Sequence, residues 1–320
     1  MVKLPAIIFA LFLLKHIHCR SLWDAPFPEV SDVTLEKGKP IRLPKNYTKV
    51  QIQLFNGTIY SDSLSQLGVS ELRIGASETT KIEDGALCSS PTLKLLEIDF
   101  TTRTNSIPAL TKNIFENCTQ LEELLVIYNP INSPYQIDHN ALESMSSLKA
   151  LSLKGYNVIH LKKDFLKIPN TLTILVLAFC GIQEIDSNTF EDLNNLETIE
   201  LIYNRHLKKI PKGLFKNTPK LKTLSLSDNN IQDLTWDEFE GLANLEVLNV
   251  AQNRISSFDA DKIATNFLNL KKLNIDLNPP SCNEQEAVAN QLKTKLKTLV
   301  EVKYKLGEDF NHPCKQDPVL

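Results

Sequence analysis

Leu172-Thr-Ile-Leu-Val-Leu-Ala-Phe-Cys-Gly-Ile182 is repeated in outline three more times before residue 255, at intervals of about two dozen residues. Four lines of the same pattern result. They read Leu172, Leu175, Leu177, Cys180 and Ile182; Leu196, Ile199, Leu201 and Asn204; Leu221, Leu224, Leu226, Asn229 and Ile231; Leu245, Leu248, Val250, Asn253 and Ile255. The shared pattern is L-x-x-L-x-L-x-x-N/C-x-I, and a fixed period of this length indicates a repeat architecture.

The spacing has a direct physical interpretation. In L-x-L the two apolar residues share one face of a short strand, because strand side chains alternate. The Asn at the end of the strand both donates and accepts, so it can satisfy turn backbone groups that would otherwise be buried unpaired. A second apolar set, such as Ile231, Leu234, Phe239 and Leu242, returns along the outer side. Stacked turns then share one continuous core.

This pattern resembles that of the extracellular leucine-rich repeat proteins, over about residues 69–314. The resemblance implies an α/β solenoid, a horseshoe with a parallel β-sheet on its concave face. It also implies a β cap at the N-terminal end and a helical, disulfide-linked cap at the C-terminal end. Nine repeats are predicted, starting at Val69, Leu93, Leu121, Leu148, Leu172, Leu196, Leu221, Leu245 and Leu270. The two longest steps, of 28 and 27 residues, predict surface insertions near 101–108 and 132–136.

The ends of the chain complete the predicted domain organisation. Residues 1–19 carry Lys3 and a short apolar run, as in a signal peptide, and the run is too short to span a bilayer. Residues 20–68 are predicted to form the N-terminal β cap, with a hairpin about Lys37-Gly38 and a further alternating stretch after it. Repeats occupy 69–281. Residues 282–320 are the C-terminal cap, with a helix from Glu284 to Leu299 and a strand from Val300 to Tyr304. We therefore expect a secreted, extracellular protein without a membrane span.

Cysteines and acceptor motifs fit an extracellular protein. The resemblance to the capped repeat proteins implies a Cys282–Cys314 disulfide. Cys88 and Cys118 lie in neighbouring turns, within disulfide reach if the turns stack about 5 Å apart; two separate thiols is the alternative. Cys180 occupies an Asn position and is predicted to be an inert core residue. N-glycosylation motifs occur at Asn46, Asn56 and Asn117, and unmodified surface Asn is the alternative at each.

The composition gives no sign of catalysis. The His residues show no metal-ligand spacing, and neither a phosphate loop nor G-x-S-x-G is present. We predict no enzyme activity, no metal site and no cofactor. The formal charge of −3 excludes a strong general attraction to nucleic acid or acidic lipid, so neither is a predicted partner, although a local basic patch is not excluded.

Outward positions of the middle strands carry an unusual number of aromatic and branched residues. Phe100, Tyr128, Phe179 and Tyr203 fall in one column, interrupted by Gly155. Acids flank this column: Glu97, Asp99, Glu122, Glu123, Glu197 and Glu200. Exposed apolar patches commonly mark interfaces, and aromatic residues are typical anchors. The sequence predicts a ligand-binding stripe formed by Phe100, Tyr128, Phe179, Tyr203, Ile127 and Ile202. The alternative is that the early strands tilt, or the insertions fold over, and the protein covers the stripe itself.

Within the extracellular repeat proteins, the chain is most similar to insect secreted proteins, in particular the mosquito leucine-rich immune proteins of the haemolymph. That similarity rests on the signal peptide, the cysteine-poor N-terminal cap and the acidic helix start after Cys282. The C-terminal coiled coil of that family is not found in this sequence. The resemblance implies innate immune recognition of an extracellular protein or peptide, with complement-like thioester proteins as partners. An adhesion or matrix protein and a salivary effector are the alternatives, and an enzyme inhibitor also fits a concave binder.

Overall fold

The computed structural model describes residues 29–33, 35–43, 47–54, 57–76, 79–100, 109–128, 137–165, 167–296 and 301–303. Short strands and two helices alternate with tight turns. The strands are β1 (Glu29–Val33), β2 (Lys49–Leu54), β3 (Gly57–Ile59), β4 (Glu71–Ala76), β5 (Thr79–Ile82), β6 (Leu95–Phe100), β7 (Glu123–Tyr128), β8 (Ala150–Lys154), β9 (His160–Leu161), β10 (Ile174–Ala178), β11 (Glu184–Ile185), β12 (Thr198–Ile202), β13 (Thr223–Ser225), β14 (Val247–Asn249), β15 (Lys272–Asn274) and β16 (Glu301–Lys303). The helices are α1 (Ala260–Asn266) and α2 (Cys282–Lys295).

One parallel sheet carries the solenoid. Its order in the described residues is β1-β2-β4-β6-β7-β8-β10-β12-β13-β14-β15-β16, so successive turns lie side by side in chain order. Leu151, Leu175, Ile199, Leu224 and Leu248 are in register across five strands. The repeat pattern predicts this register, because the second Leu of each line takes the same place in its strand. The predicted horseshoe with a parallel sheet on its concave face is confirmed.

The leucines of the repeat form one core that runs the length of the described chain. It extends from Leu35 to Leu296 and includes the outer apolar set. Phe190, Phe215 and Phe239, one from each of three successive turns, stack with ring centroids 6.3 and 6.1 Å apart. A single turn cannot enclose such rings, so neighbouring turns stabilise one another.

The asparagine positions form a buried ladder of hydrogen bonds. The side-chain amide of Asn229 donates to the carbonyl oxygens of Leu201 and Leu226, both at 2.7 Å. Its side-chain oxygen accepts from the backbone N–H of Asn204 at 2.7 Å. Asn253 and Asn278 donate in the same way one and two turns later, and their side-chain oxygens accept from the backbone N–H groups of Ile231 and Ile255. Each amide thus satisfies backbone groups of two turns, as its chemistry predicts.

The N-terminal end differs from the predicted hairpin. β1 pairs with β2 in parallel, and β2 pairs with β4 in parallel. An isolated antiparallel bridge joins Glu36 and Lys39 about Gly38, whose φ is 78°. The turn and an antiparallel pairing are found where predicted, but Ile41 and Leu43 form no strand, so the hairpin is limited to this one bridge. The predicted boundary at residue 68 stays a prediction.

The C-terminal end follows its pattern closely. Ser281 caps α2 through a reciprocal capping box with Glu284, which fixes where the helix begins. Val288, Leu292 and Leu296 are buried, so the predicted apolar face covers the last turns. β16 pairs in parallel with β15 and lies within the strand that was predicted after the helix. Leu299 lies outside the described residues.

Candidate functional site

A second, smaller apolar cluster lies on the concave side of the sheet. Val176, Ala178 and Ile202 are buried there, apart from the core, and Ile174, Phe179 and Tyr203 pack on them as half-buried residues. The strand register causes this juxtaposition, since Val176 pairs with Glu200 and Ala178 with Ile202. These positions have the parity opposite to the core leucines, so their side chains leave the sheet on its other face.

Phe179 and Tyr203 form a stacked pair at the end of this cluster. Their ring centroids are 4.4 Å apart and the rings are 5° from parallel. Each follows its strand directly and has a positive φ, of 56° and 58°. The same conformation recurs at Gly155 and at Asp228 in the corresponding places of other turns. It recurs at Gln252 and Leu277 as well, so the positive φ belongs to the repeat, and the two rings take a place that the next two turns fill with polar residues.

The structure corrects the prediction for Phe100 and Tyr128. Their rings also stack, at 5.3 Å, but they are 1% and 2% exposed and belong to the core. β6 and β7 continue through these two residues, whereas β10 and β12 end before Phe179. Strand alternation therefore places Phe100 on the side of Leu96 and Ile98, and neither ring lines the concave surface. Phe100 and Tyr128 belong to the two turns that are followed by the longer connections. This difference in length was the signal in the sequence that these two turns depart from the regular repeat.

The two predicted isoleucines have different environments. Ile202 is 2% exposed, within the concave cluster. Ile127 is half-buried on the same face of the sheet, in register with Asp99 on one side and Lys154 on the other. Of the six predicted residues, the structure brings together Phe179, Tyr203 and Ile202. Ile127 is on β7, two strands away from β10. It pairs with Lys154 of β8, which in turn pairs with Ala178 of β10.

Glu200 is the charged group closest to this cluster along the chain. It is 4% exposed, and one of its carboxylate oxygens is buried without a hydrogen bond. Burial raises the pKa of Glu200 to about 7, against the opposing effect of the Lys154 charge. The sequence shows Glu200 only as an acid beside the column, because burial of an outward position cannot be read from the pattern. The result is a carboxyl that is about half ionised at neutral pH and lies beside the apolar cluster.

Three of the other flanking acids pair with bases. Glu97 is fully buried and meets Arg73 at 3.2 Å, and burial raises its pKa. Glu122 and Glu197 are partly exposed and pair with lysines of neighbouring turns. These ion pairs link turn to turn. Glu200 is the flanking acid that lies in register with a member of the cluster, Val176.

Beyond Tyr203 the concave surface becomes polar. Burial raises the pKa of Tyr203 to about 12 and that of Asp228 to about 6, while a hydrogen bond from Ser227 opposes the shift of Asp228. Asp228 occupies in its turn the place that Tyr203 occupies one turn earlier. The apolar surface thus ends at Tyr203, so the stacked pair is its boundary.

The structure describes four of the cysteines for which predictions were made. Cys88 and Cys118 are disulfide-bonded, with Cα atoms 5.1 Å apart. Cys180 is a buried free thiol whose pKa burial raises to about 12, so it is chemically inert at neutral pH. Cys282 is also disulfide-bonded; its predicted partner Cys314 lies outside the described residues. Asn46 and Asn56 lie outside them too, while Asn117 is exposed beside the Cys88–Cys118 bond.

Two further observations bear on chemistry and location. Within the described residues no cluster of three or more His, Cys, Asp or Glu side chains has a geometry that could hold a metal ion. Neither α1 nor α2 has the length and apolar character that crossing a membrane requires.

Two protein-family models match parts of the chain. "Leucine rich repeat" matches residues 203–255, and "BspA type Leucine rich repeat region", with six copies, matches residues 36–173. Both matches fall on the stacked turns. Together with the parallel solenoid sheet, they identify the chain as a leucine-rich repeat protein.

The similar proteins match only part of the chain. Mouse osteomodulin is 31% identical over 127 residues, which is 39% of this chain and 29% of that protein. Chicken lumican is 31% identical over 40% of this chain and 36% of its own length. Mouse Toll-like receptor 7 is 28% identical over 39% of this chain and 13% of its length. The matched region is thus about a third of these relatives at most. The solved TLR13–ssRNA13 complex shares the fold, with a TM-score of 0.57 at 20% identity over 80% of this chain and 35% of that chain.

Proposed function

We propose that this is a secreted, non-catalytic recognition protein that binds an extracellular protein or peptide on its concave face. The observation that carries the proposal is the Phe179–Tyr203 stack, half-buried at the edge of the concave apolar cluster. Rigid, partly exposed aromatic rings give a large contact area at a low cost in conformational entropy, which makes them typical anchors of interfaces.

Residue type and charge together support a ligand-binding role. The corresponding places of the next two turns hold the polar residues Asp228 and Gln252, whereas Phe179 and Tyr203 present stacked rings there. Glu200, buried on the same strand as Ile202, favours a partner that brings apolar groups together with a positive charge.

Secretion is supported by the sequence and by the disulfide. The signal-peptide pattern lies outside the described residues, but Cys88–Cys118 is typical of an oxidising compartment. Innate immune recognition is the proposed setting, from the resemblance to the mosquito leucine-rich immune proteins, with complement-like thioester proteins as candidate partners. Similarity to Toll-like receptor 7 agrees with this setting.

The alternative is an adhesion or matrix protein, and the similarity to osteomodulin and lumican favours it. A salivary effector is a third possibility on the same fold. The location of the native protein separates the three. A soluble protein in body fluid supports immune recognition, a glycosylated cell-bound fraction supports adhesion, and expression confined to salivary tissue supports an effector.

The binding site is tested with the double variant F179N/Y203N. Asn tolerates positive φ, so this change removes both rings and keeps the backbone conformation. The matched control is Q252N, because Gln252 has φ 54° at the same place two turns beyond Tyr203 and is exposed.

Wild type and both variants are immobilised and exposed to native extracellular fluid, and captured proteins are identified by mass spectrometry. A protein captured by wild type and Q252N, and lost with F179N/Y203N at unchanged thermal stability, supports the site. Equal capture by all three, or a loss that follows a lower melting temperature, overturns it.

A further inference from the structure

One turn of the solenoid is strongly basic. Residues 201–227 contain no Asp or Glu. We call this turn the basic turn. Its basic residues are Arg205, His206, Lys208, Lys209, Lys212, Lys216, Lys220 and Lys222. All eight are exposed. This concentration contrasts with the net charge of −3 for the whole chain.

Most charges of the basic turn have no acidic partner. Lys222 pairs with Glu197 at 2.8 Å, and Lys220 donates to the side-chain oxygen of Asn195. The other five Lys and Arg side chains form no ion pair within 4 Å with any described residue; they are Arg205, Lys208, Lys209, Lys212 and Lys216.

Several lysines elsewhere on the solenoid are paired across turns. Lys94 and Lys149 both bind Glu122, at 3.2 and 2.6 Å. Lys271 binds Glu246 at 2.7 Å. Pairing with an acid of the neighbouring turn is therefore common in this protein, and the basic turn departs from it.

The local backbone directs these side chains outward. Leu214 and Phe215 are buried in the core, and tight turns hold the chain between Pro211 and Lys216. Lys212 and Lys216 lie on the exposed side of these turns, four residues apart. Lys208 lies against the next turn, where its carbonyl oxygen accepts from the backbone N–H of Gln232 at 3.1 Å. The charges follow the chain from the end of β12 to the outer side.

Acids of the adjacent turns compensate the basic turn only in part: Glu197 pairs with Lys222, and the Arg205 charge acts against the raised pKa of Asp228. In the preceding turn, Glu191 and Asp192 both bind Lys163, at 2.9 and 3.0 Å. In the following turn, Asp237 binds Lys262 at 2.8 Å, and Lys212 acts on it only as a weaker, more distant charge. The positive region is thus one turn wide and has acidic turns on both sides. A flat anionic surface would meet those acids, whereas a linear polyanion laid along the turn would avoid them.

We propose that the basic turn binds a linear sulfated polysaccharide. Six of its eight residues are lysines, which act as compact point charges for anionic groups, and clusters of this density are a recognised pattern of polyanion sites. Single-stranded nucleic acid is disfavoured because its sites offer exposed aromatic rings for base stacking. The ring that lies among the lysines, Phe215, is buried in the core, and Tyr203 belongs to the concave cluster. The choice of a sulfated polysaccharide rests on the extracellular location proposed above.

The test uses the purified full chain and heparin as the probe. The variant K208Q/K209Q/K216Q removes three unpaired charges. The control K94Q/K149Q/K271Q removes the same number of charges from paired positions, at little cost in stability because the pairs are exposed. Heparin affinity is measured by titration calorimetry at several salt concentrations, and circular dichroism checks the fold of both variants.

We expect the basic-turn variant to bind heparin at least about tenfold more weakly, with the slope of log K against log salt reduced by about two to three. The control should bind within about twofold of wild type. Equal losses in both variants, or no loss in either, overturn the proposal. Equally tight binding of an oligothymidylate of matched charge overturns the choice of polysaccharide. This assay needs no concave partner, so its outcome is independent of the Phe179–Tyr203 test.

Discussion

The backbone N–H of Cys180 donates to the side-chain oxygen of Asn204 at 2.9 Å, across the boundary between two turns. The asparagine ladder therefore serves a turn that has no asparagine of its own. Asn204 also accepts from Ile182 and donates to the carbonyl oxygens of Leu177 and Ile202. One fully buried amide thus satisfies four backbone groups.

We predict that Asn204→Ala destabilises the protein by roughly 3 to 5 kcal/mol, because several buried backbone groups lose their partners at once. The urea midpoint, followed by circular dichroism, measures the change. Cys180→Ser is the comparison, since the Cys180 thiol makes only weak contacts with carbonyl oxygens at 3.4 and 3.5 Å. A similar midpoint for N204A and C180S would contradict the ladder's role.

The pKa of Glu200 predicts a dependence of stability on pH. The pKa in the folded protein is about 7, raised from 4.5, so the folded state binds the proton more tightly than the unfolded chain does. The stabilising effect of the protonated carboxyl is complete below about pH 4.5 and is lost as the pH rises through about 7. At pH 8 the ionised group costs up to about 3 kcal/mol.

Glu200→Gln should therefore be more stable than wild type at pH 8 and close to it at pH 4.5. Thermal melts of both proteins between these pH values test this difference. Asp228, whose pKa is raised to about 6, titrates in both proteins and does not affect the comparison. A constant difference between the two proteins at all pH values would show that Glu200 does not titrate as described.

The two aromatic pairs should respond differently to substitution. Phe100→Ala is expected to cost about 3 to 5 kcal/mol, because a buried ring leaves a cavity. Phe179→Asn should change the stability by about 1 kcal/mol or less, because relief of positive-φ strain offsets the lost stacking. Denaturant titrations of F100A and F179N measure both. A large loss with F179N would show that its ring stabilises the fold instead of being free for a partner.

The Cys88–Cys118 disulfide closes a loop of 30 residues. Its removal in the variant C88S/C118S should destabilise the N-terminal turns by about 3 to 4 kcal/mol, from the lost constraint on the unfolded chain. Limited proteolysis should then cut these turns before the region beyond residue 170. Simultaneous cleavage of both regions would mean that the disulfide does not act locally.

Much of the architecture could be predicted from the sequence because its signals are local and repeated. The spacing of Leu175, Leu177 and Asn204 relative to their neighbours defines strand, register and ladder. The hairpin about Gly38 is shorter than predicted, one antiparallel bridge, because alternation of residues does not fix how far a pairing extends.

The concave surface was only half predictable. A column of aromatic residues was visible, but which side of the sheet each ring takes depends on whether the strand ends before it. Phe179 follows a strand that has ended, whereas Phe100 continues one. The burial of Glu200 depends on the combined cover given by several turns, which no single repeat encodes.

Gly155 interrupts the aromatic column at a place where a Cβ would lie 2.4 Å from the carbonyl oxygen of Tyr128. On its N-terminal side the rings face inward, and on its C-terminal side they face the concave surface. Where a strand ends thus decides the face that a ring takes, while the type of residue stays the same. A strand that ends one residue earlier would display a ring that a longer strand hides, so the ligand range of this architecture can evolve by changes in strand length as well as by substitution.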